Sequence, residues 1–291
     1  MTIKSLLTSL VLIIPTLSFA QDINLLPTST TQQIVYHTYF TLSYSEPHEQ
    51  AEWVAYLLTA QRLSGNIERS NKFRADSSVI TGSAHSSDYA KSGYDKGHLA
   101  PAADMKYDSI AMKECFLMSN MSPQLPSFNR GIWKELEESV RSWALEKDSL
   151  FIVAGGVLKG NLTPIGVNEV AVPKYFYKII LHINHSEPEA IAFLLPNETA
   201  TQRLSDYAIT IDSLETLTDI DFFPVFPNSI ENILESKIQI KQWFSEKQEV
   251  KETNTPSSGT SVQCSQITKN GTRCKRKTTS PNGKCYQHGG N

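Results

Sequence analysis

One amphipathic helix constrains this chain more than any other feature. Residues 131–146, GIWKELEESVRSWALE, set Ile132, Leu136, Val140 and Trp143 near helical spacing. Short apolar runs stand on either side of it. FLMSNMSPQ (116–124) and LFIVAGGVL (150–158) read as short buried strands ending in turns. VPKYFYKIILHI (172–183) and EAIAFLLPN (189–197) are β-rich, the second closed by Pro196 and Asn197. Upstream, HEQAEWVAYLLTAQRL (48–63) spaces Trp53, Ala55, Tyr56 and Leu57 as a further helix face. The body is therefore expected to mix helices and strands around a sizeable core, which 291 residues at 40% hydrophobic content can supply.

The ends of the chain differ from this body. Lys4 precedes an almost unbroken apolar run over residues 6–19, and Ser18 and Ala20 are small where a signal peptidase reads. Residues 1–20 are expected to be a cleaved signal peptide, which places the protein in the periplasm or outside the cell. The alternative, a membrane anchor, is opposed by the length of the run and by Pro15. No later stretch is long and apolar enough to span a bilayer, so no membrane span is expected after cleavage. The main domain is expected over residues 21–248. A polar linker of small residues follows over 249–263, then a basic module over 264–291.

The chemistry gathers around YDKGHLA (94–100). A phosphodiester is hydrolysed by in-line attack of water. The site must take a proton from the water and stabilise charge on the phosphoryl and leaving oxygens. Neutral His98 suits the first task, and Mg²⁺, held by one or two oxygen ligands, suits the second. Downstream, Asn129 stands just before the helix and offers an amide oxygen, and Glu137 lies further along on roughly the same face. Each residue has an ordinary alternative: Asn129 as an N-cap, Glu137 as a solvated helix residue, Asn120 and His98 as turn residues. Order and spacing must decide. The body has no H-x-x-x-H pair, which argues against a zinc hydrolase.

That order resembles the DNA/RNA non-specific endonucleases, the ββα-metal nucleases. Their D-R-G-H motif matches Asp95-Lys96-Gly97-His98, their N-x-x-P-Q run matches residues 120–124, and their N-x-x-x-W-x-x-x-E pattern matches Asn129, Trp133 and Glu137. EWVAY, ERSNKFRAD, IVAGGVL, LLPN and LTDIDFFP fall in the family's order, so the likeness runs over residues 46–227. It implies an α+β ββα-metal (His-Me finger) fold with a central antiparallel sheet flanked by helices. It implies His98 as general base, Asn129 as Mg²⁺ ligand (Mn²⁺ in its place is possible), Glu137 holding the ion's water, and Arg69 on phosphate. Asn120 is placed near the catalytic centre. DNA and RNA are the implied substrates, cleaved without sequence preference. Two positions depart. Lys96 replaces the motif's arginine, a point charge in place of a bidentate fork, and Asp219 stands where the family often has glycine. The Lys96 change leaves room for a non-catalytic nucleic-acid binder, and a phosphodiesterase of small phosphoesters is a further alternative.

The net charge of −3 gives no global field for nucleic acid, but a local basic surface suffices. The C-terminal module carries Lys269, Arg273, Lys275, Arg276, Lys277 and Lys284. Its Cys264, Cys274, Cys285 and His288 form an allowed Zn²⁺ set. Disulfide pairing, with Cys115 as a possible partner, is the alternative. The module is read either as a tether to phosphate backbones or as a solvated or surface-attachment tail.

Overall fold

The structure, a computed structural model, describes residues 25–183, 188–244, 262–267, 272–278 and 284. The expected signal peptide, most of the linker, Cys285 and His288 lie outside the described residues. The chain divides into two compact units, Met1–Trp243 and Phe244–Asn291.

In the larger unit β1 (Ile34–Tyr36) and β2 (Thr41–Ser45) lead into β3 (Gln50–Thr59) and a one-turn α1 (Ala60–Leu63). The helix expected over residues 48–63 is therefore a strand for most of its length. The run is apolar without a break from Trp53 to Leu58 and buried along both faces, and a continuous apolar run of this length suits an interior strand. Only its last four residues are helical, started by the Thr59 side chain, which accepts from Arg62 N.

The chain continues through β4 (Asp95–His98), α2 (Ser109–Glu114), β5 (Met121–Gln124), α3 (Pro126–Asn129) and α4 (Ile132–Lys147). It then forms β6 (Ser149–Gly156), the short pair β7 (Thr163–Ile165) and β8 (Val170–Val172), and the long hairpin β9 (Tyr175–His182) and β10 (Glu189–Pro196). β11 (Ala208–Ile209), α5 (Ile211–Thr218) and α6 (Asn228–Glu235) follow. Seven strands make one antiparallel sheet in the order β1-β2-β3-β6-β9-β10-β11.

Alternation along the strands feeds the two faces. Trp53, Ala55, Phe151, Val153, Tyr177 and Ile179 pack with Ile211, Leu214 and Leu234 of α5 and α6. The opposite face takes α4, which buries Ile132, Trp133, Leu136, Val140 and Trp143. Trp143 stacks on Phe193 of β10, with ring centroids 6.2 Å apart. Each such large side chain contributes about 1.5–3 kcal/mol on burial, so α4 is anchored firmly enough to serve as a platform. Asp219, at φ 60°, ends α5 in the left-handed region. That conformation explains why glycine suits the position. Among the described residues no helix is long and apolar enough to cross a membrane.

The smaller unit pairs β12 (Val262–Gln263) with β13 (Lys277–Thr278). Cys264 and Cys274 are buried together within it, their backbone amides donating to Arg276 O and Gln266 O at 2.8 Å.

Candidate active site

β4 and β5 form a separate two-stranded ribbon, with Asp95 opposite Gln124 and His98 opposite Met121. The ribbon needs a glycine in its centre, because a Cβ on Gly97 would fall on the Gln124 amide. α3 and α4 follow β5 directly, so the two motif segments and the helix meet in one strand-strand-helix unit. Trp133, at the start of α4, closes it: its indole N–H donates to His98 O at 3.3 Å.

The His98 side chain is 7% exposed, and its Nε2 is buried without a hydrogen-bond partner among the described residues. Phe116 meets the ring edge-on at 4.8 Å, and Phe73 lies 5.9 Å away. Burial, reinforced by the Arg69 guanidinium, holds the imidazole down to about 3, so the ring is neutral at any physiological pH.

Two cations share those aromatic walls. The Arg69 guanidinium lies over the Phe116 ring at 5.1 Å, and Lys96 Nζ lies 4.9 Å from the Phe73 ring. Neither makes an ion pair among the described residues. Phe73 and Phe116 thus hold the imidazole and the two cations against the same rings. Sequence reading passed over both, since an aromatic residue in an irregular segment carries no positional signal.

Asn129 ends α3. Its Nδ2 donates to Asp95 Oδ2 at 2.9 Å, so the amide oxygen is the end left to act as an acceptor. The N-cap alternative does not hold, for the residue flanking α4 is Gly131. Asp95 also takes a forked pair of bonds from Arg130, at 2.9 and 2.7 Å. Burial raises the Asp95 carboxyl, but the bonds from Arg130 and Asn129 outweigh it and the net shift is downward. Asp95 therefore remains an anion whose task is to orient Asn129. A neutral amide oxygen held in this way, on a half-buried residue, fits a hard divalent ion such as Mg²⁺.

Glu137 is half-buried on α4. Burial raises its carboxyl towards neutrality, and Asp104 adds to this, while Lys178, Arg141 and Arg69 oppose it. Arg69 thus acts electrostatically on both His98 and Glu137. Behind Glu137 lies a buried charge network. Arg141 bonds Asp104 at 3.0 Å and Tyr56 OH donates to the same carboxylate at 2.8 Å. Lys178, fully buried in β9, lies 4.5 Å from the Trp133 ring with its Nζ 3.5 Å from Leu99 O. Lys178 is a further site residue that the sequence reading missed. The available signal was a lone lysine inside the apolar run YFYKIILHI.

Asn120 is placed beside the segment that leaves His98. The residue, expected among the catalytic ones, is fully buried, and both N–H donors of its amide are engaged. Oδ1 accepts from Ala100 N at 2.9 Å, and Nδ2 donates to Ala100 O and Cys115 O at 2.9 and 2.8 Å. It clamps the chain that leaves His98 and is a positioning residue. Of the zinc set, Cys264 and Cys274 lie together in the smaller unit, whereas Cys285 and His288 fall outside the described residues. Cys115 is buried in the larger unit, its thiol donating to Met112 O at 3.4 Å.

Comparison with known proteins identifies the family and the fold. Residues 22–229 match the family described as DNA/RNA non-specific endonuclease. The mitochondrial nuclease EXOG of Danio rerio is 36% identical over 206 residues, 65% of this chain and 60% of that protein. A nuclease of Nostoc sp. is 34% identical over 211 residues, covering 68% of this chain and 76% of its own length. Human mitochondrial endonuclease G is 32% identical over 200 residues, covering 64% and 67%. Among solved structures, EndoG in a complex with EndoGI superposes with a TM-score of 0.64 at 27% identity, covering 68% of this chain and 88% of that one. The match thus spans less than two thirds of the zebrafish relative's length.

Proposed function

Since the chain belongs to the DNA/RNA non-specific endonuclease family, we propose that it is an exported, Mg²⁺-dependent endonuclease that hydrolyses phosphodiester bonds in DNA and RNA without sequence preference. The observation that carries the reading is the buried, unpartnered and neutral imidazole of His98 between Phe73 and Phe116, with Arg69 and Lys96 against the same rings.

His98 takes the proton of the attacking water at a ring nitrogen. In the free protein its basicity is suppressed by burial and by Arg69. A phosphate bound to Arg69 and Lys96 adds negative charge beside the ring and raises its basicity where the proton must be accepted. Arg69 and Lys96 grip the phosphate rather than a base edge, which gives affinity without sequence readout. Lys96 serves as a point charge where an arginine would fork. Asn129, through the amide oxygen that Asp95 leaves outward, and Glu137, through water, are the residues that would hold the ion. Bound Mg²⁺ supplies charge stabilisation to the phosphoryl and leaving oxygens.

Export rests on the sequence of residues 1–20. The zebrafish and human relatives are named as mitochondrial, whereas the Nostoc relative's name states no compartment. For the smaller unit, Zn²⁺ held by Cys264, Cys274, Cys285 and His288 is the proposed staple, and elemental analysis of the purified chain checks it.

The test uses purified protein with plasmid and with RNA, in Mg²⁺ or in EDTA. Cleavage of both substrates that requires the ion and disappears in His98→Ala supports the proposal. Bound but intact DNA indicates a binder, and cleavage of a small diester alone indicates a phosphodiesterase.

A further inference from the structure

A second cluster of acids lies away from β4 and α4. Asp212 and Glu215 lie one turn apart on α5, and Glu235 ends α6. One carboxylate oxygen from each lies within 4.8 Å of the others. Three carboxylates at this separation repel one another unless something positive lies between them.

Glu235 is the anomaly. It is 4% exposed, and its Oε1 is buried with no hydrogen-bond partner among the described residues. It also ends a helix, where the backbone dipole presents its negative pole. Burial raises its carboxyl, and Glu215, Glu231, Asp212 and Asp221 raise it further, to about 8. Leu234 beside it belongs to the apolar core shared with Ile211 and Leu214. Glu215 already spends Oε1 on Phe222 N, at 2.9 Å. Its other oxygen and the exposed Asp212 remain available.

We propose that Asp212, Glu215 and Glu235 form a calcium site that fastens α6 to α5, separate from the nuclease centre. The donor set is all carboxylate oxygen, which selects a hard cation. Oxygens within 4.8 Å of one another can share one ion at the 2.3–2.6 Å of calcium. Magnesium, which demands near-ideal octahedral geometry and gives up its waters reluctantly, is less suited to a site built from three side-chain carboxylates. The open side at Asp212 admits the waters that complete the 6–8 ligands calcium takes.

The test uses the full chain carrying Asn129→Ala, which silences the ion expected at the nuclease centre. After EDTA treatment and its removal, CaCl₂ is titrated by calorimetry, and Tm is followed by circular dichroism. One calcium should bind and Tm should rise. Adding Asp212→Asn, at an exposed position, should weaken binding by roughly tenfold or more and remove most of the rise. Glu235→Gln should abolish both and raise the ion-free Tm, since its buried charge has gone. The proposal is overturned if Asn129→Ala binds no calcium, or if Asp212→Asn binds it as tightly. Glu235 would then be a buried, protonated acid. No arm reads nuclease activity, so this outcome is independent of the proposed reaction.

Discussion

Replacing Asp95 with asparagine tests how the chain presents a ligand to a metal it holds by so few groups. Asp95 accepts from Asn129 Nδ2 at 2.9 Å and from both arms of Arg130. The Arg130 side chain is 71% exposed, so that fork adds little in water. The bond to Asn129 is half-buried and charge-assisted, and it fixes which end of the amide faces outward. The substituted side chain would offer one neutral oxygen where Asp95 offers two charged ones, and its NH₂ would compete. Removing an outer partner of a metal ligand costs roughly 10–100-fold in affinity, about 1.4–2.7 kcal/mol. Calorimetric titration with Mg²⁺ should therefore show Asp95→Asn binding 10–100-fold more weakly, with cleavage largely restored at saturating ion. Arg130→Ala should bind Mg²⁺ almost as the parent does. The reasoning fails if Asp95→Asn retains parental affinity, or if Arg130→Ala is equally damaged, because the fork rather than the orientation of Asn129 would then be what matters.

Lys178→Met should leave Asp104 with Arg141 and Glu137 with Arg141 and Arg69 as the only opposing cations. Their carboxyls would rise further, the folded state would bind more protons than the unfolded one, and stability would fall as pH rises; urea melts should show a larger loss at pH 8 than at pH 5. His98 behaves oppositely: its folded value, about 3, is below the ordinary 6.5, so the unfolded chain binds the extra proton. This group should remove up to about 1.4 kcal/mol of stability per pH unit as pH falls below 6.5, a slope that His98→Asn should lack. Asn120→Ala should cost at least about 2 kcal/mol by stranding the buried Ala100 and Cys115 backbone groups, measured by chemical denaturation.

Much of this architecture is legible in the residues themselves. Helix α4 follows from its apolar spacing, and β9 and β10 from their apolar runs closed by polar or proline residues. The order Asp95, His98, Asn129, Trp133, Glu137 marks the candidate site because β4, the end of α3 and the first turns of α4 hold those side chains at fixed offsets. What the sequence did not show has physical causes. Residues 48–63 read as a helix because a strand buried on both faces shows no alternation, so helical spacing is satisfied by accident. The bonds that tie the Asn120 amide to Ala100 and Cys115 join distant segments and are not visible in the sequence. Phe73, Phe116 and Lys178 were invisible because their roles arise from contacts between distant segments, with Lys178 reaching Trp133 only once β9 packs beneath α4.

The central claim is that the uncharged imidazole at position 98 takes the proton from water. Chemical rescue tests it most directly. His98→Ala opens a space between Phe73 and Phe116 that free imidazole can enter. The variant should bind Mg²⁺ like the parent, lose about 10²–10⁴-fold in plasmid cleavage, and regain part of it as imidazole is added, in proportion to the neutral form. Parental cleavage by His98→Ala, or a loss that no concentration of imidazole restores while Mg²⁺ and DNA binding stay intact, would contradict the account.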